Sequence, residues 1–230
     1  MLPDTLRTAR PAVQLAEVRI KPAATLTLSS LGPKASRANG YCLVPGGTYA
    51  TLLSPEPGSG PLLLEKLEVR LHPGQPTEGR LRVRLVNAVS GPTPGTVDLL
   101  PNAPLYSAAQ LAALPKGLLT LDVSAAAPLL PPEGIFVLLE GLPTSPAEQC
   151  LPIRRDDPTP WLLLTATDPQ NPATHRRTPA DQFPAVSLGS SRAAPATFVR
   201  QCHHTEWLFH PADSKGRSEN LDIRLTLRPQ

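Results

Sequence analysis

The sequence predicts an all-β fold, a jelly-roll-like antiparallel β-sandwich with one short helix and long Pro-rich loops. Thirty of the 230 residues are proline, and long helices are excluded because proline clashes with the preceding helical turn. Several segments alternate apolar and polar residues with the period of two that half-buried strands require. Because 40% of the residues are hydrophobic but only 4% are aromatic, we expect an aliphatic core.

The chain is expected to form one domain over residues 23–230, preceded by a lead-in over residues 1–22. The lead-in contains an alternating segment, 13–20, that predicts a strand between two prolines. The first part of the domain predicts a strand over 25–28 and then two short strands, 41–44 and 48–53, on either side of a Pro-Gly-Gly turn. No internal repeat or long linker divides the chain.

Two segments, 65–71 and 80–86, show the alternation most clearly. In the second, leucine and valine face one way while Arg80, Arg82 and Arg84 face the other. The two segments are joined by a stretch rich in proline and glycine. We therefore predict a β-hairpin with a long loop.

One short helix is predicted over residues 107–114. Ser107 has the side chain of an N-cap residue, and Pro115 and Gly117 stop the helix. The segment 135–139 is wholly apolar but too short for a helix. It therefore predicts a central strand that is covered on both faces.

The remainder of the chain predicts short strands between loops. We expect a mobile loop over 168–180, because this segment contains prolines, asparagine and an Arg-Arg pair. The final segment, 221–227, alternates strictly, with leucine and isoleucine directed inwards. Further strands are predicted over 117–123, 161–165, 183–188, 196–202 and 207–209. The total of about ten to twelve short strands is typical of a jelly roll.

The charge distribution excludes some classes of partner. The formal net charge is +3, from 22 basic and 19 acidic residues, and it lacks the clustered basic face of a nucleic-acid-binding protein. No uninterrupted apolar stretch of about 18 residues occurs, so we expect no membrane-spanning helix. The first residues lack the basic start and apolar run of a secretory signal peptide, which leaves the localisation open.

The three cysteines, Cys42, Cys150 and Cys202, are widely spaced and form no C-x-x-C pair. A structural zinc site of the knuckle type is therefore not expected. Three reduced and largely buried thiols are the favoured expectation, because free cysteine packs as a small hydrophobic residue. One disulfide with one free thiol is the alternative.

A family resemblance is carried by six segments in a fixed order, 67–71, 81–86, 91–95, 98–100, 117–124 and 130–140. The last contains the run Pro-Pro-Glu-Gly-Ile-Phe-Val. In this order the segments resemble the β-sandwich region that follows the small carboxypeptidase-regulatory-like domain of bacterial cell-envelope proteins. The resemblance implies a cell-envelope or secreted protein and no catalytic residue. The regulatory-like domain itself is absent from this sequence, and Leu118 replaces the usual aromatic residue.

The densest group of metal-ligating residue types is Cys202, His203, His204, His210 and Asp213. On a strand, Cys202 and His204 share a face while His203 points away. Three ligands would require His210 to fold back towards them. An exposed polar strand end with a half-buried cysteine is the favoured interpretation, and a metal-dependent enzyme on Cys202, His204 and His210 is the alternative.

Two features suggest a ligand-binding surface. The arginine stripe within 80–86 has the charge to bind an anionic glycan or phosphate, although Glu68 and Asp222 are expected as its cross-strand partners. Trp207 is the better exposed aromatic candidate for stacking on a sugar. The speculative ligand-binding residues are Trp207, Arg82, Arg84 and Arg224.

The sequence therefore predicts a non-enzymatic β-sandwich module that acts in the cell envelope as a binding or structural accessory protein. A carbohydrate-binding jelly roll is the first alternative, and the metal-dependent enzyme described above is the second. No catalytic residue and no cofactor are assigned. The ligand is unknown, with a glycan or an envelope protein as candidate partners.

Overall fold

The computed structural model describes residues 24–31, 36–88, 93–151, 162–191, 197–201, 206–210 and 217–230. The predicted strand over 13–20 lies outside the described residues. The strands are β1 (Leu26–Ser29), β2 (Ser36–Cys42), β3 (Thr48–Leu53), β4 (Leu62–Arg70), β5 (Arg80–Ala88), β6 (Pro94–Asp98), β7 (Leu105–Ser107), β8 (Leu118–Asp122), β9 (Leu129–Leu130), β10 (Ile135–Leu142), β11 (Gln149–Cys150), β12 (Leu162–Ala166), β13 (His175–Pro179), β14 (Ala185–Ser191), β15 (Thr197–Arg200), β16 (Leu208–Phe209), β17 (Ser218–Leu221) and β18 (Ile223–Pro229). The helical segments are α1 (Ala108–Ala112) and the single 3-10 turns Pro115–Gly117, Pro172–Thr174 and Ala180–Gln182.

These strands pair in antiparallel sheets. The five-stranded sheet has the order β1-β18-β4-β8, with β9 also on β4, and the seven-stranded sheet has the order β16-β15-β3-β10-β5-β6, with β7 also on β5. Two three-stranded sheets have the orders β11-β12-β13 and β17-β14-β2. The predicted all-β sandwich with a short helix is confirmed, and the jelly-roll connectivity stays a prediction.

The two large sheets share one aliphatic core. Leu67 and Leu225 reach it from the five-stranded sheet, and Val83, Leu85 and Leu139 reach it from the seven-stranded sheet; all are 0% exposed. Burying each such side chain contributes about 1.5–3 kcal/mol to stability. The inward faces that the alternation predicted are therefore confirmed.

The predicted hairpin between the two alternating segments is wrong. β4 pairs with β18 and β8, whereas β5 pairs with β10, so the two strands belong to different sheets. Residues 72–79 therefore cross from one layer to the other instead of closing a hairpin. Alternation determines which face of a strand is buried but not which strand lies beside it, because pairing depends on residues distant in sequence.

The predicted central strand at 135–139 is confirmed as part of β10, which is buried on both faces. Its apolar odd-numbered residues lie in the main core. Phe136 and Leu138 lie on the other face of the seven-stranded sheet, in a second cluster with Ala50, Val86 and Phe198. The rings of Phe136 and Phe198 meet edge to face, with their centroids 5.7 Å apart. Both faces of the seven-stranded sheet thus carry a packed apolar layer.

The predicted helix is present as α1, which is shorter than expected. The Ser107 side chain accepts a hydrogen bond from the Gln110 backbone N–H, and the Gln110 side chain accepts one from the Ser107 N–H, which forms a capping box. The helix ends at Ala112, with Ala113 as its C-cap, and Pro115 opens a separate 3-10 turn. Only a few residues are helical because proline cannot continue the hydrogen-bonding pattern.

The mobile loop predicted over 168–180 is wrong in its second half. His175–Pro179 forms β13, which pairs with β12. Ion pairs hold this strand, since Arg176 binds Glu78 and Glu148. Its sequence shows no apolar alternation, which is why the strand was not predicted.

None of the described helices is long and apolar enough to span a membrane.

Candidate functional site

A groove of about 500 Å3 lies beside the β17-β14-β2 sheet. Its floor includes Gly40 and Cys42 of β2 and Ala185 of β14, which pairs directly with Cys42. One wall comes from residues 71–76 and another from residues within 111–117. The remaining lining residues are Asp181, Phe183 and Pro184. Four segments that are distant in the sequence therefore build this groove.

Backbone hydrogen bonds hold both ends of the loop that follows β4. The His72 N–H donates to the Ala185 carbonyl over 2.8 Å. The N–H groups of Thr77 and Glu78 both donate to the Gln182 carbonyl, each over 3.0 Å. The loop is therefore fastened at each end to the segment that carries Asp181 and begins β14, which maintains the width of the groove.

Two glycines permit the close approaches that shape the groove. A Cβ atom added to Gly40 would lie 2.3 Å from Cγ of His72, so the imidazole rests directly on the β2 backbone. Gly117 has a φ of +66°, and a Cβ atom there would lie 2.7 Å from the Leu71 carbonyl oxygen. The Leu71 N–H donates to the Gly117 carbonyl over 2.8 Å. Any larger residue would displace one wall of the groove.

Lys116 lies on the edge of the groove in an unusual backbone conformation. Its φ of 54° and ψ of 26° are left-handed, which costs a residue other than glycine about 1–3 kcal/mol. Arg70 Nη1 donates to the Lys116 carbonyl over 3.3 Å, and the Gly117 N–H donates to the Leu114 carbonyl over 3.2 Å. These bonds hold the turn and direct its lysine to the groove.

Four polar side chains of the groove have no partner among the residues that the structure describes. His72, Gln75, Lys116 and Asp181 line it and are exposed. None of these four side chains makes a hydrogen bond or an ion pair with another residue in the described ranges. The groove therefore offers an imidazole, an amide, an ammonium and a carboxylate group to a ligand.

The deeper lining is apolar. Leu71, Leu111 and Phe183 are buried, and three prolines add surface without N–H donors. Cys42 is a free, half-buried thiol. Burial raises its pKa, and the negative charge of Asp181 raises it further. Cys42 therefore remains a protonated, weakly polar thiol at neutral pH and is not activated as a nucleophile.

The predicted ligand residues Arg82 and Arg84 lie on the outer face of the seven-stranded sheet, where they form ion pairs with carboxylate groups. Arg82 Nε lies 2.5 Å from Glu140 Oε2. Arg84 binds Asp98 with two hydrogen bonds of 2.8 and 3.1 Å and binds Glu140 over 3.0 Å. The bonds to Asp98 and Glu140 raise the pKa of Arg84. Both guanidinium groups are therefore already neutralised.

The partners expected for this arginine stripe were wrong. Glu68 and Asp222 lie on or beside the five-stranded sheet and pair with other cations. Glu68 lies 3.1 Å from Lys66, and Asp222 lies 3.4 Å from Arg70. The difference follows from the wrong hairpin, because β5 lies between β10, which supplies Glu140, and β6, which supplies Asp98.

Arg224 and Trp207 occupy two further places. The Arg224 side chain is 55% exposed on the five-stranded sheet and lies 3.7 Å from Glu68. Trp207 is half-buried at the β16 edge of the seven-stranded sheet, with Arg200 Cζ 4.7 Å from its ring centroid. Neither residue lines the groove. The four predicted ligand residues are therefore distributed over two sheets.

His210 is buried in an aromatic and acidic environment. Its Nδ1 lies 3.7 Å from Glu219 Oε2, and the Tyr41 hydroxyl donates to the same oxygen over 3.1 Å. Burial raises the pKa of neighbouring Tyr49 to about 12. The other members of the predicted metal cluster, Cys202, His203, His204 and Asp213, lie outside the described residues. Among the residues that are described, no group of three or more His, Cys, Asp or Glu side chains is arranged for a metal.

The expectation of three reduced cysteines is wrong, because Cys150 is disulfide-bonded. Cys150 lies half-buried in β11, beside Thr165 of β12. Cys42 is free, and Cys202 lies outside the described residues. The chain therefore follows the alternative of one disulfide and a free thiol for the two cysteines that are described.

The groove itself was not predicted from the sequence. The segment 72–76 reads as a turn because of its proline and glycine content, and nothing local marks His72 as part of a site. Lys116 and Asp181 come from 3-10 turns that meet only in the folded chain. The close contacts at Gly40 and Gly117 do mark the groove, but these contacts are visible in the structure and not in the sequence.

The fold and the groove define an all-β sandwich protein with a cavity of small-ligand size. No protein-family model, no curated protein and no solved structure matches this chain. The groove and the chemistry of the residues around it are therefore the features that bear on the function.

Proposed function

We propose that the protein is a non-enzymatic binding module of the bacterial cell envelope and that the groove is its ligand-binding site. The volume of about 500 Å3 lies within the range of known small-molecule sites, which is about 300–1,000 Å3. Such sites combine apolar walls with a few polar groups that orient the ligand. The groove has this composition, with Leu71, Leu111 and Phe183 in the walls and Lys116 and Asp181 among the polar groups.

The observation that carries the proposal is that the four polar side chains of the groove have no partner within the described part of the chain. The side chains of Lys116 and Asp181 bind no other described residue, so a ligand need not break an existing ion pair to reach them. The strained backbone at Lys116 adds support, because such conformations concentrate at functional sites.

The disulfide at Cys150 supports the proposed location. Disulfides persist in oxidising compartments such as the periplasm and are rare in the cytosol. We expect iodoacetamide to label Cys42 but not Cys150 in the denatured, unreduced protein isolated from its own host, and both after reduction. Labelling of Cys150 without reduction would contradict the disulfide and remove this support.

Binding is tested with four probes that share one branched aliphatic body: leucine, 4-methylpentanoate, isopentylamine and isopentanol. They are respectively zwitterionic, anionic, cationic and neutral. We expect at least one to shift the amide resonances of Cys42, Gly117 and Ala185 in the NMR spectrum of the labelled protein. If none of the probes shifts these resonances at millimolar concentration, the groove is not a binding site for small aliphatic ligands and the proposal fails.

A matched pair of variants locates the binding. Ala112 lines the groove, whereas its exposed neighbour Ala113 does not. We expect Ala112→Trp to fill the cavity and abolish the shifts, and Ala113→Trp to retain them. Equal loss in both variants would place the effect in the helix and not in the groove.

A carbohydrate-binding function is the second candidate, and the β16 edge favours it. Leu208 and Phe209 are 57% and 53% exposed there, and Trp207 adds an amphipathic ring beside Arg200. Aromatic side chains of this kind provide stacking surfaces for sugars. A glycan array with binding that Trp207→Ala abolishes would favour this candidate, and an array without hits would remove it.

The metal-dependent enzyme remains the third proposal. It depends on Cys202 and His204, with His210 as the only described member of the set. Metal analysis of the protein as isolated decides it. Stoichiometric zinc or iron would favour the enzyme, and a metal-free protein would eliminate it.

A further inference from the structure

We propose that the groove selects short zwitterionic peptides with apolar side chains. This inference rests on the proposed binding function and names the class of ligand. It follows from the two opposite charges, the apolar walls and the neutral polar groups that line one cavity.

The two charges come from separate elements. Lys116 belongs to the 3-10 turn Pro115–Gly117 and Asp181 to the 3-10 turn Ala180–Gln182, and both line the groove. No ion pair joins them, and neither is paired with any other residue that the structure describes. Because they do not neutralise each other, the groove has two separate sites of opposite charge.

Charge complementarity excludes ligands that carry one sign only. An anion would be attracted by Lys116 but repelled by Asp181. A cation would be attracted by Asp181 but repelled by Lys116. A neutral apolar molecule would remove water from both charges without replacing it, which is unfavourable. A ligand with an ammonium and a carboxylate group satisfies Asp181 and Lys116 together.

The rest of the lining indicates what lies between the two charged ends. Leu71 and Phe183 provide apolar contact for aliphatic side chains. Gln75 carries both a hydrogen-bond donor and an acceptor, which match the carbonyl and N–H of a peptide bond. Prolines in the wall have no N–H group to leave unsatisfied. A peptide of about three residues has the size of the small molecules that such sites accommodate.

The decisive experiment uses trileucine and two derivatives, one N-acetylated and one C-amidated. Calorimetric titration of the full chain should show about tenfold weaker binding for each derivative, since each loses one charged contact. Acetylation should no longer matter in Asp181→Asn, and amidation should no longer matter in Lys116→Gln. These variants remove one charge each and leave the volume of the groove nearly unchanged.

Cross-combinations and a distant variant serve as controls. Acetylation should still weaken binding in Lys116→Gln, and amidation should still weaken it in Asp181→Asn. Glu133 is exposed and does not line the groove, so Glu133→Gln should behave like the parent protein. Circular dichroism and a melting curve verify that each variant is folded.

The outcomes separate this inference from the proposed function. If isopentanol shifts the groove resonances but leucine and trileucine do not, the zwitterionic class is wrong and the binding site stands. If Asp181→Asn leaves the cost of acetylation unchanged, the assignment of the ammonium contact is wrong. If no probe of any charge perturbs the groove, both proposals fail.

Discussion

The groove and the outer face of the seven-stranded sheet both carry basic and acidic side chains, which are paired on the sheet and unpaired in the described part of the groove. On the sheet, Arg82 and Arg84 are joined to Glu140 and Asp98 over 2.5–3.1 Å. In the groove, Lys116 and Asp181 have no ion-pair partner within the described chain. The number of charges in a region therefore does not indicate whether it can bind a charged ligand.

Register explains the difference. β10 aligns Glu140 directly opposite Arg82, and cross-strand neighbours of opposite charge pair readily at that spacing. The groove is built by turns, where no ladder aligns one side chain with another. Unpaired charges thus persist where loops converge, which is also where binding residues are usually found.

The comparison predicts that the largest loss of stability will come from a substitution at Glu140. Its side chain is 7% exposed and binds both arginines. Glu140→Gln should lower the free energy of unfolding by about 2–3 kcal/mol, because two charged hydrogen bonds are weakened in a buried place. Urea denaturation measures this change.

The matched groove variant is Asp181→Asn, which should change the free energy of unfolding by less than about 0.5 kcal/mol. Asp181 is exposed and binds no described residue. A loss as large as that of Glu140→Gln would mean that the groove charges stabilise the fold, and the contrast between the two regions would disappear.

An intermediate effect is expected at Gly40. Gly40→Ala places a methyl group against the His72 imidazole, where the clash distance is 2.3 Å, and should cost about 1–2 kcal/mol. The side chain of His72 must move, so its NMR signals should shift. Gly60 has nothing within 4 Å of an added Cβ atom, so Gly60→Ala should be neutral. Equal stability of the two variants would contradict the close packing of His72 on β2.

A smaller loss of stability is expected when acid protonates Glu78. This residue is a paired carboxylate next to the loop that lines the groove. Hydrogen bonds from Arg176 and then Thr144 hold the pKa of Glu78 below its ordinary value of 4.5. Its contribution is therefore complete above pH 4.5 and is lost as the pH falls through the lowered pKa. Glu78→Gln should reduce the acid dependence of unfolding by about 0.5–1 kcal/mol. An unchanged slope below pH 4.5 would show that the ion pair contributes nothing.

The faces of the strands could be predicted from the sequence, because a half-buried strand carries its environment in its own alternation. Val83 and Leu225 lie in the core as expected. The same principle fails for β13, since His175–Pro179 is held by arginine contacts and has no apolar period. It also fails for the neighbours of β4 and β5, because pairing joins segments that are far apart in the chain.

The candidate site was beyond prediction for a related reason. The arginines in 80–86 form a regular pattern in the sequence, yet the same regularity aligns them with partners across the sheet. Lys116 and Asp181 are isolated in the sequence and meet only through the turns after α1 and before β14. A local sequence pattern does not show which distant turns will lie side by side in the folded chain.

The crossing segment 72–79 has a mechanical consequence. It links the two layers of the sandwich, and its first half also forms one side of the groove. A ligand bound there would contact the segment that links the two layers, so its binding would stabilise the folded sandwich. The free energy of unfolding would then rise with the concentration of the ligand.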